Sequence, residues 1–481
     1  MFDTRRHVVA ALSALAAALL IASGAASAQS APAAPVHAAN SSVGGPELSN
    51  VARRAIDAAL WGMPAVSMAA VRRSLAGVGA GYNEVLYFSN VMEARHELLT
   101  ANNTTPYVAV VLDLHSGPMV IEVPPASAKV ALFGSAIDSF QVPIADVGPT
   151  GDDKGKGGKY VFLSPGYAGA RPNGYFVIPS ATNFVHAAFR PIIGKGGTIE
   201  DGVAYAKTLK IYPLASAAKP PPTKYVDGFP KAWQTLPVYD LTFFKDIAAV
   251  VNDEPAQTKD AAMLGLLASI GIEKGVPFNP AGETAKALEQ AAAQAYDIMQ
   301  ARMVTSAFEK LWPDRQWGDL RYTHTKDTDF MKDGRLLIDD RANVFFIATW
   351  LPKKLAASAY PQTFTDATGA LLKGNKLYRL RVPADTPARD FWSVILYSMK
   401  TKSMIPNSAN KVGLSSYDKS KMQMNNDGSV DLYFAPMAPE GKETNWIPTG
   451  EDFFVFLRLY GPEKAYFDKT WKLPDVENVT N

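Results

Sequence analysis

The side chains of this chain that could ligate a metal, move a proton or attack a carbonyl carbon are few and scattered. His96, His115, His186 and His324 are its histidines beyond residue 45, and no His-Glu-x-x-His occurs. Glu93-Ala94-Arg95-His96 is one Glu-x-x-His, whereas a bundle di-iron centre needs two, with two further Glu on facing helices. Asp327, Asp329, Asp333, Asp339 and Asp340 crowd around Gly334. With Asp329 at position one of a calcium loop, Asp333, Gly334 and Asp340 fall at five, six and twelve. Met331 at position three cannot ligate, and the last ligand is Asp rather than Glu. A solvated acidic turn is the better reading; Asp329, Asp333 and Asp340 are weak metal candidates, and no cofactor is expected. No Gly-x-Ser-x-Gly elbow is present. Ser216–Lys219, Ser408–Lys411 and Ser416–Lys419 match Ser-x-x-Lys without its partner motifs. A triad assembled in space stays open. His186, after Pro179-Ser180-Ala181-Thr182-Asn183, is its best base candidate, against the simpler reading of a hydrogen-bonded structural histidine. Nucleotide glycine fingerprints are missing, and the lysines of GDDKGKGGK (residues 151–159) read as a solvated loop.

Polar residues interleaved with aromatics are the remaining signal. In LTANNTTPYVAVVLDL (residues 99–114), Asn102, Thr105 and Tyr107 lead into an apolar run. Asn102 and Asn103 head formal glycosylation sequons, but Asn, Thr and Pro also suit a tight turn before a strand. Trp392 lies in FWSVILY, Asn445 and Trp446 precede DFFVFLRLY, and Arg458 there alternates with Phe456 and Tyr460. Exposed aromatics on a β-sandwich can stack on sugars or other flat ligands. The competing reading is that Trp446 plugs the end of the sandwich.

These residues need a scaffold. Leu48, Val51, Ala55, Ala59 and Leu60 have helical spacing over 46–75, which Gly62 and Pro64 should kink or divide. From Tyr107, short runs rich in β-branched and aromatic residues predict strands, with His115-Ser116-Gly117-Pro118 as a hairpin connection. Pro220-Pro221-Pro222 begins a semi-rigid link. Asp240 should cap a helix, Lys259–Ile272 a second, and Glu283–Leu311 a third with Leu288, Ala292, Ala295, Met299, Met303 and Phe308 inward. Strands return after Asn343, and Asn426-Asp427-Gly428 signals another hairpin turn. The expected fold is mainly β with α: two β-sandwich or jelly-roll-like domains, 46–239 with leading helices and 313–481, joined by a helical segment, 240–312.

The first residues bear on the compartment. Arg5 and Arg6, an apolar stretch to Ala22 and Ala26-Ser27-Ala28 read as a signal peptide over 1–28. General secretion fits better than twin-arginine export. Residues 29–45 read as a disordered leader. The 481 residues carry a net charge of +2 and no cysteine. That gives no electrostatic case for nucleic acid, and it excludes disulfides, thiolate metal sites and a cysteine nucleophile. A bacterial periplasmic or secreted location is expected, with no transmembrane segment after signal removal.

The chain resembles the bacterial proteins that pair domain of unknown function 1254 with domain of unknown function 1214. The matching residues are AIDAALWGMP, TANNTTPYVAVVLDLHSGPMVIEVPP, KYVFLSPGYAGARPNGYFVIPSATN and Arg190 in the first half. In the second they are YRLRVPA, DFWSVILYS, NNDGSVDLYFAP, GKETNWIPTGEDFFVFLRLYGPE and WKLPDVE. The resemblance implies two β-sandwich-like units joined by helices in envelope-associated proteins, and no agreed activity. Many members carry Asn-x-Asp-Thr-x-Tyr where this chain has Asn102, Thr104, Thr105 and Tyr107. Thr104 removes a carboxylate and tilts that motif from acid–base chemistry toward binding. The favoured expectation is a cleft at strand ends that binds a small or polymeric organic ligand through Asn102, Thr105, Tyr107, His186, Arg190, Trp392, Asn445, Trp446 and Arg458. The alternatives are an ester- or glycan-type hydrolase with a spatially assembled site, and a structural envelope homo-oligomer.

Overall fold

The computed structural model describes residues 45–305, 308–320, 329–353 and 358–480. Residues 46–481 form one compact unit. Helix α1 spans Gly45–Val78; α2, Ile199–Ala206; α3, Leu241–Asp253; α4, Ala261–Ala268; α5, Gly282–Thr305; and α6, Ile338–Phe345. Four strands of the first half carry the argument: β1 (Val108–Asp113), β2 (Val130–Asp138), β3 (Pro143–Val147) and β4 (Phe184–Ile193). Two of the second half join them, β5 (Ala388–Ser398) and β6 (Phe453–Pro462).

Each strand-rich half is a pair of stacked sheets. In the first, the order Tyr225–Asp227, Val85–Tyr87, β1, β4, β2, β3 makes one sheet. Lys210–Pro213, Met119–Val123, Gly158–Leu163 and Phe176–Pro179 make the other. In the second half, Phe308–Lys310, Gly318–Leu320, Gln362–Thr363, β6, β5 and Gly413–Ser415 form the large sheet, with Ser358–Ala359 also on β6. Trp446–Pro448, Val430–Ala435, Tyr378–Val382 and Glu477–Asn478 form the small one. The expectation of two sandwich-like regions separated by helices holds.

The large sheets are covered on both faces, which explains their unbroken apolar runs. On β6, Phe453, Val455, Leu457 and Leu459 enter the core of the second sandwich. Phe454 and Phe456 turn the other way, into a central core with Ile395 and Tyr397 of β5. On β1, Val108, Val110 and Leu112 pack inside the first sandwich. Ala109 and Val111 face the same central core, which Trp61, Val66, Phe244, Ile247, Leu288, Met299 and Phe345 of the helices fill. The outer faces of the two large sheets therefore look toward each other across a helical filling.

Several local expectations change. Helix α1 is not divided: it runs through Gly62 and Pro64. The Pro64 carbonyl accepts from Gln141 Nε2 at 3.2 Å, and Ile247 of α3 lies where a side chain at residue 62 would begin, with Cδ1 at 2.7 Å from that point. Asp240 does cap α3, accepting from Thr242 N at 2.6 Å. The second predicted helix is shorter, Ala261–Ala268 after a single 3-10 turn. Helix α5 buries Leu288, Ala292, Ala295, Met299 and Met303 as its spacing predicts, but ends at Thr305, and Phe308 begins a strand. Neither predicted hairpin exists. Residues 115–118 carry the chain from β1 to Met119–Val123 in the other sheet, and Val430–Ala435 after Asn426-Asp427-Gly428 pairs with Tyr378–Val382. Among the described residues no helix is long and apolar enough to cross a membrane.

Candidate functional site

Strand register builds the floor of a cleft. Directly paired residues of an antiparallel ladder project to the same face, and alternate residues along a strand share it. Between β4 and β2, Arg190 stands opposite Phe133, Ala188 opposite Ser135, and His186 opposite Ile137. Between β1 and β4, Ala109 stands opposite Ala188 and Val111 opposite His186. Across β2 and β3, Ser135 stands opposite Asp146. The central row is thus small where its neighbours are large, and the sheet is hollow at Ala188 and Ser135. Leu98–Thr100, Ala348–Pro352, Tyr360, Phe456 and Arg458 close over that hollow. The cleft is narrow, with a cavity volume of about 70 Å³.

Two arginines, one from each sandwich, meet this space. Arg190 Nη1 donates to the Tyr460 hydroxyl at 3.0 Å. Its guanidinium carbon lies 5.7, 5.2 and 5.4 Å from the ring centroids of Tyr107, Phe133 and Tyr460. Arg458, only 3% exposed, donates to the Tyr397 hydroxyl and to the Thr100 carbonyl. It lies 5.7, 5.3 and 5.2 Å from the rings of Tyr360, Tyr397 and Phe456. The partners that hold these cations are phenols, a carbonyl and ring faces. Among the described residues neither arginine pairs with a carboxylate, and no Asp or Glu lines the cleft. Arg458 Nε and the Oγ of Ser393, directly across the ladder, have no partner among the described residues. Burial acts to lower both arginine pKa values, but the surrounding tyrosines outweigh it and both stand above the ordinary value. Burial raises Tyr397 and Tyr460 despite the adjacent guanidinium groups, so both phenols are neutral. The cleft is a positively charged, aromatic-walled depression of low polarity, where an unpaired charge is costly and an incoming anion interacts strongly.

The backbone around it is strained. Thr100 (φ 42°) and Trp350 (φ 53°) line the cleft in left-handed conformations, unusual for β-branched or bulky residues. Gln141 (φ 62°) and Lys402 (φ 59°) hold them. The Gln141 side-chain oxygen accepts from Thr349 Oγ1 at 2.9 Å and Trp350 N at 3.3 Å, and the Lys402 carbonyl accepts from Thr100 N at 2.8 Å. Such outliers persist where surrounding structure over-determines them, and they gather at ligand sites. Lys402 is itself buried, with Nζ donating to Gln300 Oε1 at 2.6 Å, Lys400 O at 3.1 Å and Tyr296 OH at 3.2 Å. Burial pushes its pKa down to about 6.

The residues singled out in the sequence separate into groups. Tyr107, Arg190 and Arg458 line the cleft. Asn102 and Thr105, both fully buried, stand behind it. Asn102 N donates to the Tyr107 hydroxyl at 3.1 Å, and Asn102 Nδ2 to Thr105 Oγ1 at 3.1 Å. They fix Tyr107 rather than face a ligand. Asn103 and Thr104 line a separate, more open groove beside Gly194–Ile199 and Tyr417. His186 shares the face of Arg190 but is wholly buried, and neither ring nitrogen has a partner among the described residues. Burial, then the Arg72 charge, holds its pKa well below the usual value. The simpler reading, a hydrogen-bonded structural histidine, is corrected in one respect: the ring itself is not hydrogen-bonded among the described residues, and the contact from the cleft is Trp350 Nε1 donating to the His186 carbonyl at 3.2 Å. Trp392 points into the second sandwich core. Asn445 is tied to Gln423 and Asp431, and Trp446 donates to Ala435 O at 2.8 Å in the small sheet. These three lie away from the cleft, because alternation on β5 and membership of the outer sheet turn them from the central layer. The metal candidates serve local geometry. Asp329 accepts from Met331 N at 2.9 Å, Asp333 forms the turn of a two-strand hairpin, and Asp340 opens α6. No three His, Asp or Glu side chains among the described residues gather as ligands; Asp327 and His324 fall outside the described residues. His96 accepts from Glu93 N at 2.9 Å and meets Phe229 O at 3.1 Å, a structural role for the Glu-x-x-His match.

The cleft residues that sequence reading missed are Thr100, Phe133, Ser135, Trp350 and Tyr360. They come from distant segments, and only register and sheet-to-sheet packing unite them. Residues 82–213 match the protein family of unknown function DUF1254, and residues 357–464 match the protein family of unknown function DUF1214. The crystal structure of the VPA0106 protein from Vibrio parahaemolyticus superposes with a TM-score of 0.56 at 20% identity. It covers 90% of this chain and 100% of that one, which shows a shared fold. A putative uncharacterized protein from Burkholderia cenocepacia superposes with a TM-score of 0.42 at 11% identity, over 90% of this chain and 96% of that one. No curated protein matches. Arg190 lies within the first matched region and Arg458 within the second, so the chain pairs an N-terminal region that matches DUF1254 with a C-terminal region that matches DUF1214.

Proposed function

We propose that this protein binds a small organic anion with a flat apolar body in the cleft between its two sandwiches. The observation that carries the proposal is the pair Arg190 and Arg458, a half-buried and a buried cation with no carboxylate partner and no acidic lining around them among the described residues. Buried charges are ordinarily paired. A carboxylate would meet the Arg190 guanidinium in a charge-assisted contact, while Phe133, Trp350, Tyr360 and Phe456 would enclose the rest. The reading needs both matched regions, since each supplies one arginine. From residues 1–28 we further propose that binding takes place outside the cytoplasm, as export by a signal peptide implies.

Isothermal titration of the full chain with benzoate, phenylacetate, benzenesulfonate and phenyl phosphate, each beside its neutral amide or ester, tests the proposal. Binding of at least one acid but not its neutral counterpart is expected, with loss in Arg190→Gln and in Arg458→Met after each variant is shown to fold by circular dichroism. Equal binding of acids and neutral counterparts, or full affinity in both folded variants, would overturn it.

A further inference from the structure

Ser135 sits in the hollow row of the floor, one row from Arg190. It is 4% exposed, and its hydroxyl donates to Asp146 Oδ1 at 2.7 Å. The same Asp146 oxygen accepts from Lys353 N at 2.9 Å, which holds the carboxylate in place. A serine hydroxyl has one proton and two lone pairs. With the proton committed to Asp146, Ser135 offers only lone pairs to the cleft and acts as an acceptor there. The two arginines are donors only. The cleft therefore has fixed polarity along its length, with donors at the arginine row and an acceptor at the Ser135 row. Two residues along a strand separate the rows by about 7 Å at the backbone, so a ligand that meets both rows needs its acid and its second polar group at opposite ends of the ring. The aromatic walls at Phe133, Trp350, Tyr360 and Phe456 suit a ring in between.

We propose that the ligand is an aromatic acid with a hydroxyl or amino group para to the acid group, and that Ser135 selects this donor. The inference rests on the anion-binding reading of the same cleft. The acid group meets the guanidinium edge, the ring lies between the aromatic walls, and the distal O–H or N–H donates to Ser135 Oγ. A group that can only accept, such as a methoxy oxygen, would face the serine lone pairs without a proton between them.

The experiment is titration of the full chain with 4-hydroxybenzoate, 4-aminobenzoate, benzoate, 4-methoxybenzoate and 4-hydroxybenzamide. One neutral hydrogen bond contributes about a five-fold preference. 4-Hydroxybenzoate and 4-aminobenzoate are expected to bind at least that much more tightly than benzoate and 4-methoxybenzoate, and Ser135→Ala to bring the ratio close to one. Equal affinity of the hydroxy, methoxy and unsubstituted acids would overturn the role of Ser135 while leaving the arginine reading standing. Equal affinity of 4-hydroxybenzoate and 4-hydroxybenzamide would overturn the arginine reading instead. Failure of all five probes to bind would overturn both.

Discussion

Replacing Lys402 with Met removes a buried amine beside the cleft and gives a quantitative prediction. The lysine is 2% exposed. Its amino group faces Tyr296, Gln300, the Lys400 carbonyl and the ring of Phe346, whose centroid is 3.8 Å away. With a folded pKa of about 6 against a model-peptide value of 10.5, the unfolded chain binds a proton at this site that the folded chain gives up at any pH between the two. Stability therefore rises with pH across that window and falls toward pH 6, with a slope approaching 1.4 kcal/mol per pH unit. Between pH 6 and pH 8 this one group should change the unfolding free energy by about 2 kcal/mol, allowing for half-protonation at the lower end. Urea denaturation at pH 6, 7 and 8 reads it directly. His96 and His186, also held low by burial, tilt both proteins the same way, so the informative quantity is the difference in slope. The wild type should gain about 2 kcal/mol more than Lys402→Met over that interval. Identical slopes would refute the claim that Lys402 is buried without ionic compensation. A wild type that loses stability as pH rises would refute it as well.

Three further outcomes are expected. Gly62→Ala places a methyl 2.7 Å from Ile247 Cδ1; overpacking of 1–3 kcal/mol roughly outweighs the helix gain of about 1 kcal/mol, so net destabilisation should appear in urea melts and recede in the double variant with Ile247→Val. His186→Leu removes a buried imidazole whose nitrogens lack partners among the described residues and should be neutral or stabilising by about 1 kcal/mol, with binding of benzoate as the accompanying readout; a large loss of both would assign His186 a role in the site. Asn445→Ala breaks four hydrogen bonds beside the small sheet and should cost about 1–3 kcal/mol of stability, without altering ligand affinity.

Much of the architecture is legible from residue patterning, and the misreadings share a physical origin. Runs such as DFFVFLRLY announce strands covered on both faces, and a lone Arg458 within one is the strongest sequence sign of the site. Pro64 reads as a helix breaker because propensity is local, whereas α1 is held by packing against α3 and by Gln141 from a distant turn. Residues 115–118 read as a hairpin because turn chemistry does not say which sheet the next strand joins. Trp446 draws attention as an aromatic beside polar residues, yet its indole N–H serves Ala435 in the small sheet. Ser135 and Tyr360 carry no signal of their own. Their meaning comes from the residues opposite them, which depends on register and on two sheets meeting across the helices.

The most direct test of the account is the affinity ratio of the full chain for benzoate and benzamide, measured by titration at low salt. The two probes match in ring and size and differ in charge. Two guanidinium groups with no carboxylate partner and no acidic lining among the described residues predict a preference for benzoate of about ten-fold or more, as a charge-assisted hydrogen bond contributes about 1.5–3 kcal/mol. That preference should collapse in Arg190→Gln. Measurable binding of both probes with equal affinity would contradict the account.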